Sequence, residues 1–330
     1  MNWTLYPISD FTLYLSQWDT LNKNNSNTPL LNSAFVQPLI EHFANQQKDK
    51  LAICGDPANP IAMTIITKRK FSVWETLQPS QAPIGLWLHQ QTTPIEDLLA
   101  TLIKALPFPS LLFGITQQDP ENLVRPKNTK KISTLDYIKT ACVTLESNFD
   151  DYWSQRGKNL RQNLRRQRNR LEREEINTSL KVITDPDEVE PALIAYGKME
   201  SAGWKSEGGT AIHIDNEQGK FYRDMLINFY KHNDGLIFQY FYNEKLVATD
   251  LCIKDKNCLV ILKTTYDESI TTSSPAMLMR QDAFKYIYDQ QFTKKIEFYG
   301  KVMDWHTKWS DEIRTLYHIN FCFLPLINKK

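Results

Sequence analysis

The side chains best suited to moving protons lie in the second half of the chain. Glu200 stands four residues before Trp204. An indole beside a carboxylate raises its pKa by desolvation, which suits a general base. The same carboxylate also reads as a helix-end charge paired with Lys198 or Lys205. Asp250 falls inside the apolar run VATDLCI, where an inward carboxylate needs a partner and an outward one needs none. Lys263, on the next strand, is a candidate partner. Tyr266 can serve as an acid toward a leaving group, or pack at a strand end. His306, between Trp305 and Trp309, reads as base, as ligand or as a solvent-facing residue of a short helix. No His, Cys or carboxylate set has metal-ligand spacing, and no Gly-x-Ser-x-Gly elbow supports a covalent serine route.

The elements that must hold these residues follow from periodicity and punctuation. Apolar residues at helical spacing predict helices over 32–46 and 94–106, the second opened by Pro94 and stopped by Pro107. β-Branched runs predict strands at 51–54, 61–67, 84–88 and 110–115. Residues 120–131, with two prolines and mixed charge, read as a linker. The second half predicts a basic helix over 151–173, a strand at 180–184 and a helix opened near Asp187. A helix at 217–231 follows, then a hairpin of 235–242 and 245–254 around Asn243 and Glu244. Further strands are expected at 258–265, 295–299 and 313–324, with a helix from Pro275 to 289. Each half thus runs helix, strands, a strand–loop–helix unit opened by proline, then a strand, as an ancient duplication would. The pattern is α+β, or mixed α/β. It is not a Rossmann array, because no glycine-rich strand–helix turn occurs.

Composition excludes several classes. With 39 basic and 38 acidic residues the net charge is +1, unlike a dedicated DNA- or other nucleic-acid-binding domain with its large basic excess. The five cysteines, at 54, 142, 252, 258 and 322, show no CxxC spacing and fit reduced thiols in a cytoplasmic protein. The N-terminus lacks the features of a signal peptide, and no run approaches the ~18 apolar residues of a membrane span. Charge concentrates in one place: residues 151–173 hold 8 basic and 2 acidic side chains. Leu160, Leu164 and Leu171 form a narrow apolar stripe there, and Arg161, Arg165 and Arg168 share a face. That helix reads either as a surface helix docked by its leucines or as an anion-facing surface for phosphates, acidic sugar polymer or RNA backbone. Beyond Tyr152 and Trp153 at its start, the run holds no aromatic residue that could stack bases.

Ordered motifs in residues 155–310 resemble the CelD-type cellulose-biosynthesis acetyltransferases, relatives of FemAB proteins with the GNAT fold. They are MESAGWK at 199–205, GGTAI at 208–212, VATD at 247–250, KTTYDE at 263–268, SPAML at 274–278, EFYG at 297–300 and WHTKW at 305–309. Three positions depart from the family pattern: Ala276 stands for a glycine, Glu297 for an aspartate, and Trp305 with His306 for a Tyr-Lys pair.

The resemblance implies two tandem GNAT-like halves, a degenerate one over 1–130 and an acyltransferase domain over 131–330. It implies an acyl group, acetyl first, carried by coenzyme A to an amine or hydroxyl of a sugar or polysaccharide precursor, with no metal. Two splayed strands would hold the pantetheine arm, with Leu251, Cys252 and Ile253 as backbone partners if the 245–254 and 258–265 strands part. The splayed neighbour is alternatively the 295–299 strand. The pyrophosphate would meet the helix that starts at Pro275, through Ser273, Ser274, Ala276 and Met277. The bland alternative there is Ser274 acting as a cap. Glu200, Asp250, Lys263, Tyr266 and His306 would supply acid–base groups, and Trp204, Lys205 and Trp305 would contact the acceptor. Two further readings are aminoacyl transfer from aminoacyl-tRNA, as in FemAB relatives, and an inactive accessory of polysaccharide synthesis.

Overall fold

The computed structural model describes residues 1–202 and 212–324. The chain forms two compact units, Met1–Thr140 with Arg314–Lys330, and Ala141–Ile313.

The first unit begins with β1 (Trp3–Pro7), α1 (Leu15–Asn24) and α2 (Ser33–Phe43). It continues through β2 (Lys50–Asp56), β3 (Asn59–Lys70), β4 (Val73–Thr76), β5 (Trp87–His89), α3 (Ile95–Ala105) and β6 (Leu112–Gln118), then enters β7 (Ile132–Thr144). Asn32, not Ser33, caps α2: its side chain accepts the Ala34 N–H, while Ser33 turns its N–H and hydroxyl to Asp19. Pro94 is the N-cap of α3 and sits just outside the helix. The apolar face of α3 (Leu98, Leu99, Leu102, Ile103) packs with Ala52, Ala62, Ile66 and Phe113 in this unit's core.

The second unit holds α4 (Phe149–Gln155), α5 (Lys158–Arg173), β8 (Thr178–Ile183), α6 (Val189–Ala202), α7 (Glu217–Tyr230), β9 (Gly235–Tyr242), β10 (Lys245–Lys254), β11 (Leu259–Tyr266), α8 (Pro275–Gln290), β12 (Lys295–Glu297) and α9 (His306–Trp309), then runs into β13 (Glu312–Cys322). The expected single basic helix is therefore two, broken at Gly157. Its leucines are buried as the stripe predicts: Leu160, Leu164 and Leu171 join Leu278, Phe284 and Ile287 of α8 in one core. Asn243 adopts φ +52° in the turn between β9 and β10, as a two-residue hairpin requires.

The repeated order is real at the level of strand pairing. Strands β1, β2, β3 and β4 are successive antiparallel neighbours, and β4 then pairs in parallel with β6 across α3. Strands β8, β9, β10 and β11 repeat this, and β11 pairs in parallel with β12 across α8. The last strand differs from a simple tandem array. The end of β7 pairs with β12 in the second unit, through Cys142, Val143 and Thr144, while β13 pairs with β6 in the first. The division expected at 130/131 is therefore displaced to positions within β7 and β13. No helix among the described residues is long and apolar enough to cross a membrane.

Candidate functional site

The second unit's sheet is open on one line. Strands β11 and β12 are paired only at Leu259 with Ile296 and Val260 with Glu297. Beyond that point Phe298 gives its N–H to the Ala141 carbonyl at 3.2 Å, and Tyr299 adopts φ +48°, so the chain leaves β11. Strand β11 continues to Tyr266 with β10 on its other edge. Residues 261–266 thus present a strand edge without a β12 partner. The position differs from the first expectation. Leu251, Cys252 and Ile253 pair on one side with Ile237, Leu236 and Gly235, and on the other with Lys263, Ile261 and Val260. A strand lies on either side of them, so they present no open edge to a cofactor arm. The alternative neighbour, at 295–299, is the one that parts.

A buried ionic cluster sits behind this opening. Asp250 and Arg280 are both almost fully shielded, with Arg280 Nη2 at 3.1 Å from Asp250 Oδ2. The Thr264 hydroxyl donates to Asp250 Oδ1 at 2.5 Å and accepts from Arg280 Nη2 at 2.9 Å. Lys263 is not the partner expected for Asp250. The antiparallel register sets Thr264 opposite Asp250 and Lys263 opposite Leu251, and neighbouring side chains of a strand face opposite ways. The Arg280 guanidinium lies 4.7 Å from the Trp305 ring centre and 5.6 Å from that of Phe298. Its Nε is buried without a hydrogen-bond partner among the described residues.

On the opposite face, α6 and α7 carry a second polar group. Glu200 is 2% exposed; Oε2 accepts the Ile212 N–H at 2.8 Å and Oε1 faces the Tyr196 hydroxyl at 3.4 Å. Burial, and then the Glu200 charge, push the hydroxyls of Tyr196 and Tyr222 up. Lys263 Nζ stands 5.7 Å from the centre of the Tyr222 ring. The structure thus gathers Glu200, Tyr196, Tyr222 and Lys263 on this side. Trp204 and Lys205 lie outside the described residues. Tyr266, at the far end of β11, is exposed.

His306 is neither solvent-facing nor basic. It is 4% exposed, stacks on Trp305 with ring centres 3.5 Å apart, and accepts the Met303 N–H on Nδ1 at 3.0 Å. Burial, reinforced by the Arg280 charge, pushes its pKa down to about 4. It is a neutral imidazole with its proton on Nε2 and a poor general base near pH 7. Trp305 is partly buried against the same core.

The start of α8 faces a cavity of about 560 Å³ lined by Arg156, Asn163, Gln167, Ser274, Met277 and Lys308, among others. The Ser274 side chain makes no cap. Instead its N–H donates to Gln167 Oε1 at 2.7 Å, and Ser273 exchanges a 2.8 Å hydrogen bond with the Tyr242 hydroxyl. Gly157 and Asn159, at the start of α5, line the same cavity, so the first turns of two helices meet there. Arg156 Nε is buried without a partner among the described residues, while its other nitrogens reach the Trp309 carbonyl and Asp311. Arg168 does not face an incoming anion: it pairs with Asp282 at 2.6 Å and bonds Gln281 of α8.

Arg280, Tyr196, Tyr222, Gln167 and Arg156 are absent from the sequence expectations. Arg280 left one legible trace, a charge on the apolar face of α8 between Met279 and Ala283. Gln167 and Arg156 left none: Arg156 precedes Gly157, which hid a helix start, and Gln167 is a mid-helix residue whose partner Ser274 is more than a hundred residues away.

Residues 158–307 match the family described as Acetyltransferase (GNAT) domain. No curated protein matches the chain. Three solved structures share the fold over nearly its whole length. The C-terminal domain of a putative lysylphosphatidylglycerol synthetase from Agrobacterium fabrum is 10% identical, with TM-score 0.59, over 94% of this chain and 92% of that one. FemX is 10% identical, with TM-score 0.59, over 93% and 96%. A tandem GNAT protein from the clavulanic acid biosynthesis pathway is 8% identical, with TM-score 0.50, over 96% and 98%.

Proposed function

We propose that this chain, an acyltransferase whose residues 158–307 are a GNAT domain, takes an acyl group, acetyl first, from a coenzyme A thioester. The acceptor in this reading is an amine or hydroxyl of a sugar or polysaccharide precursor, as in the CelD-type enzymes that its motifs resemble, and the setting is the cytoplasm. The observation that carries the reading is the parting of β11 from β12 after two residue pairs.

The residues present fit such a donor. The edge of β11 beyond its two β12 pairs offers backbone groups to an amide-bearing arm. The cavity at the start of α8 offers two helix N-termini, Lys308, and a buried Arg156 Nε that has no partner among the described residues, all suited to phosphate. In the transfer the C–S bond of the thioester breaks as a C–N or C–O bond forms. Glu200 takes the acceptor's proton, with Tyr196 and Tyr222 holding the carboxylate in place. Tyr266 gives a proton to the departing thiolate. Lys263 balances charge beside Tyr222, and Trp204 and Lys205 contact the acceptor. Asp250 and Arg280 act as positioning residues that hold β10, β11 and α8 together behind the opening. Metal has no part in this reading.

Aminoacyl transfer from aminoacyl-tRNA is the second reading, favoured by exposed Arg165 and Arg166 on α5. An inactive accessory of polysaccharide synthesis is the third, favoured by Gln167 occupying the Ser274 amide. Thermal melting separates them. A rise in Tm with acetyl-coenzyme A and none with RNA supports the first. A salt-sensitive rise with RNA supports the second. No response to either leaves the third and overturns thioester transfer.

A further inference from the structure

The first unit contains a cleft of about 490 Å³, within the ~300–1,000 Å³ of small-molecule sites. Nine of its twelve lining residues carry an amide or hydroxyl side chain and none is charged, although 23% of the chain is charged. Such sites are usually apolar with a few polar groups. This one is the reverse, so its ligand must offer hydrogen bonds over most of its surface.

One wall is a row on α1. Ser16, Thr20 and Asn24 are four residues apart and share a face, while Trp18 and Leu21 anchor the helix in the core. The facing wall comes from Asn59, the first residue of β3, and from Gln90 and Gln91 after β5. Part of the polar set stiffens the walls. The Asn25 side chain accepts the Gln91 N–H at 3.1 Å, and Gln90 Nε2 donates to the Pro60 carbonyl at 3.1 Å. The Thr20, Asn24 and Asn59 side chains are exposed and make no such bond among the described residues.

We infer that this cleft binds a neutral oligosaccharide. A phosphate, acidic polymer or nucleic acid would find no cation here to offset desolvation. An apolar ligand would leave the amides unpaired. Amides donate and accept at once, as sugar hydroxyls do, so each ring hydroxyl can be matched in either sense. An extended peptide could use the same amides, yet the three apolar lining residues, Leu21, Ala58 and Pro60, form no pocket deep enough to select a side chain: Leu21 and Pro60 are themselves buried. The inference concerns the first unit alone and does not depend on acyl transfer.

The test uses the full chain without any acyl donor. Calorimetry and saturation-transfer NMR would measure binding of cellotetraose, maltotetraose and N-acetylchitotetraose, with a heparin tetrasaccharide and a Gly-Ser peptide as charged and peptide controls. At least one neutral tetrasaccharide is expected to saturate the protein. Thr20→Trp, which fills the cleft from an exposed position, should abolish that binding. The double variant Asn24→Ala with Asn59→Ala, which removes only exposed side chains, should weaken it about tenfold or more. The inference is overturned if none of the three saccharides binds at millimolar concentration, if heparin or the peptide binds in preference, or if the double variant binds as the parent does.

Discussion

Arg280 Nη2 lies 3.1 Å from Asp250 Oδ2 in a setting where both side chains are at least 97% shielded from water. A pair so placed costs desolvation free energy, and its value lies in leaving neither charge alone. Asp250→Asn or Arg280→Met alone should therefore destabilise the protein by roughly 3–5 kcal/mol, read as a shift in urea midpoint at constant m-value. The double variant should recover much of that loss. Single variants within 1 kcal/mol of the parent would mean that water reaches the pair.

Glu200→Gln keeps an acceptor for the Ile212 N–H and removes the basic oxygen pair. In the acyl-transfer reading, turnover should fall about 10²–10⁴-fold while acetyl-coenzyme A still raises Tm as in the parent. Unchanged turnover would remove Glu200 from the chemistry.

His306 predicts a pH dependence with a definite sign. Its folded pKa, about 4, lies below the ordinary histidine value of 6.5, so the unfolded chain binds the extra proton first. Its contribution is whole above pH 6.5 and is lost as the pH falls toward 4, at up to about 1.4 kcal/mol per pH unit. His306→Asn, which can still accept the Met303 N–H, should flatten that slope. A remnant should persist, because burial also pushes His89 down to about 4. An unchanged slope in the variant would show that His306 is hydrated.

Gln167→Glu places a carboxylate at the first turn of α8. A negative charge there favours the helix dipole by about 0.3–1 kcal/mol, so Tm should hold or rise. The same charge should repel phosphate and weaken acetyl-coenzyme A binding several-fold. If affinity is unaffected, the phosphates do not use this end of α8.

Much of the fold is legible in local pattern, and much of the site is not. The β9–β10 hairpin, α3, α7 and α8 follow from alternation, helical spacing and proline placement, which are properties of a few adjacent residues. Strand β4 is only four residues long, and β7 alternates buried and exposed positions irregularly, so neither stands out. The opening between β11 and β12 depends on where Phe298 finds its carbonyl, in a strand more than 150 residues earlier. The pairing of Asp250 depends on register: a slip of one residue along β11 would have made Lys263 its neighbour in place of Thr264. The family-like motifs brought Glu200, Asp250 and Lys263 into view, but only coordinates divide them between two faces of the sheet.

The traded final strands have a consequence for how such a chain can be dismantled. A gene cut at residue 130 would yield a first fragment lacking the ribbon that covers β6 and a second carrying that ribbon against β7 with its other side bare. Each fragment would expose a raw sheet margin, a template for self-association. The two halves are therefore obliged to be made together.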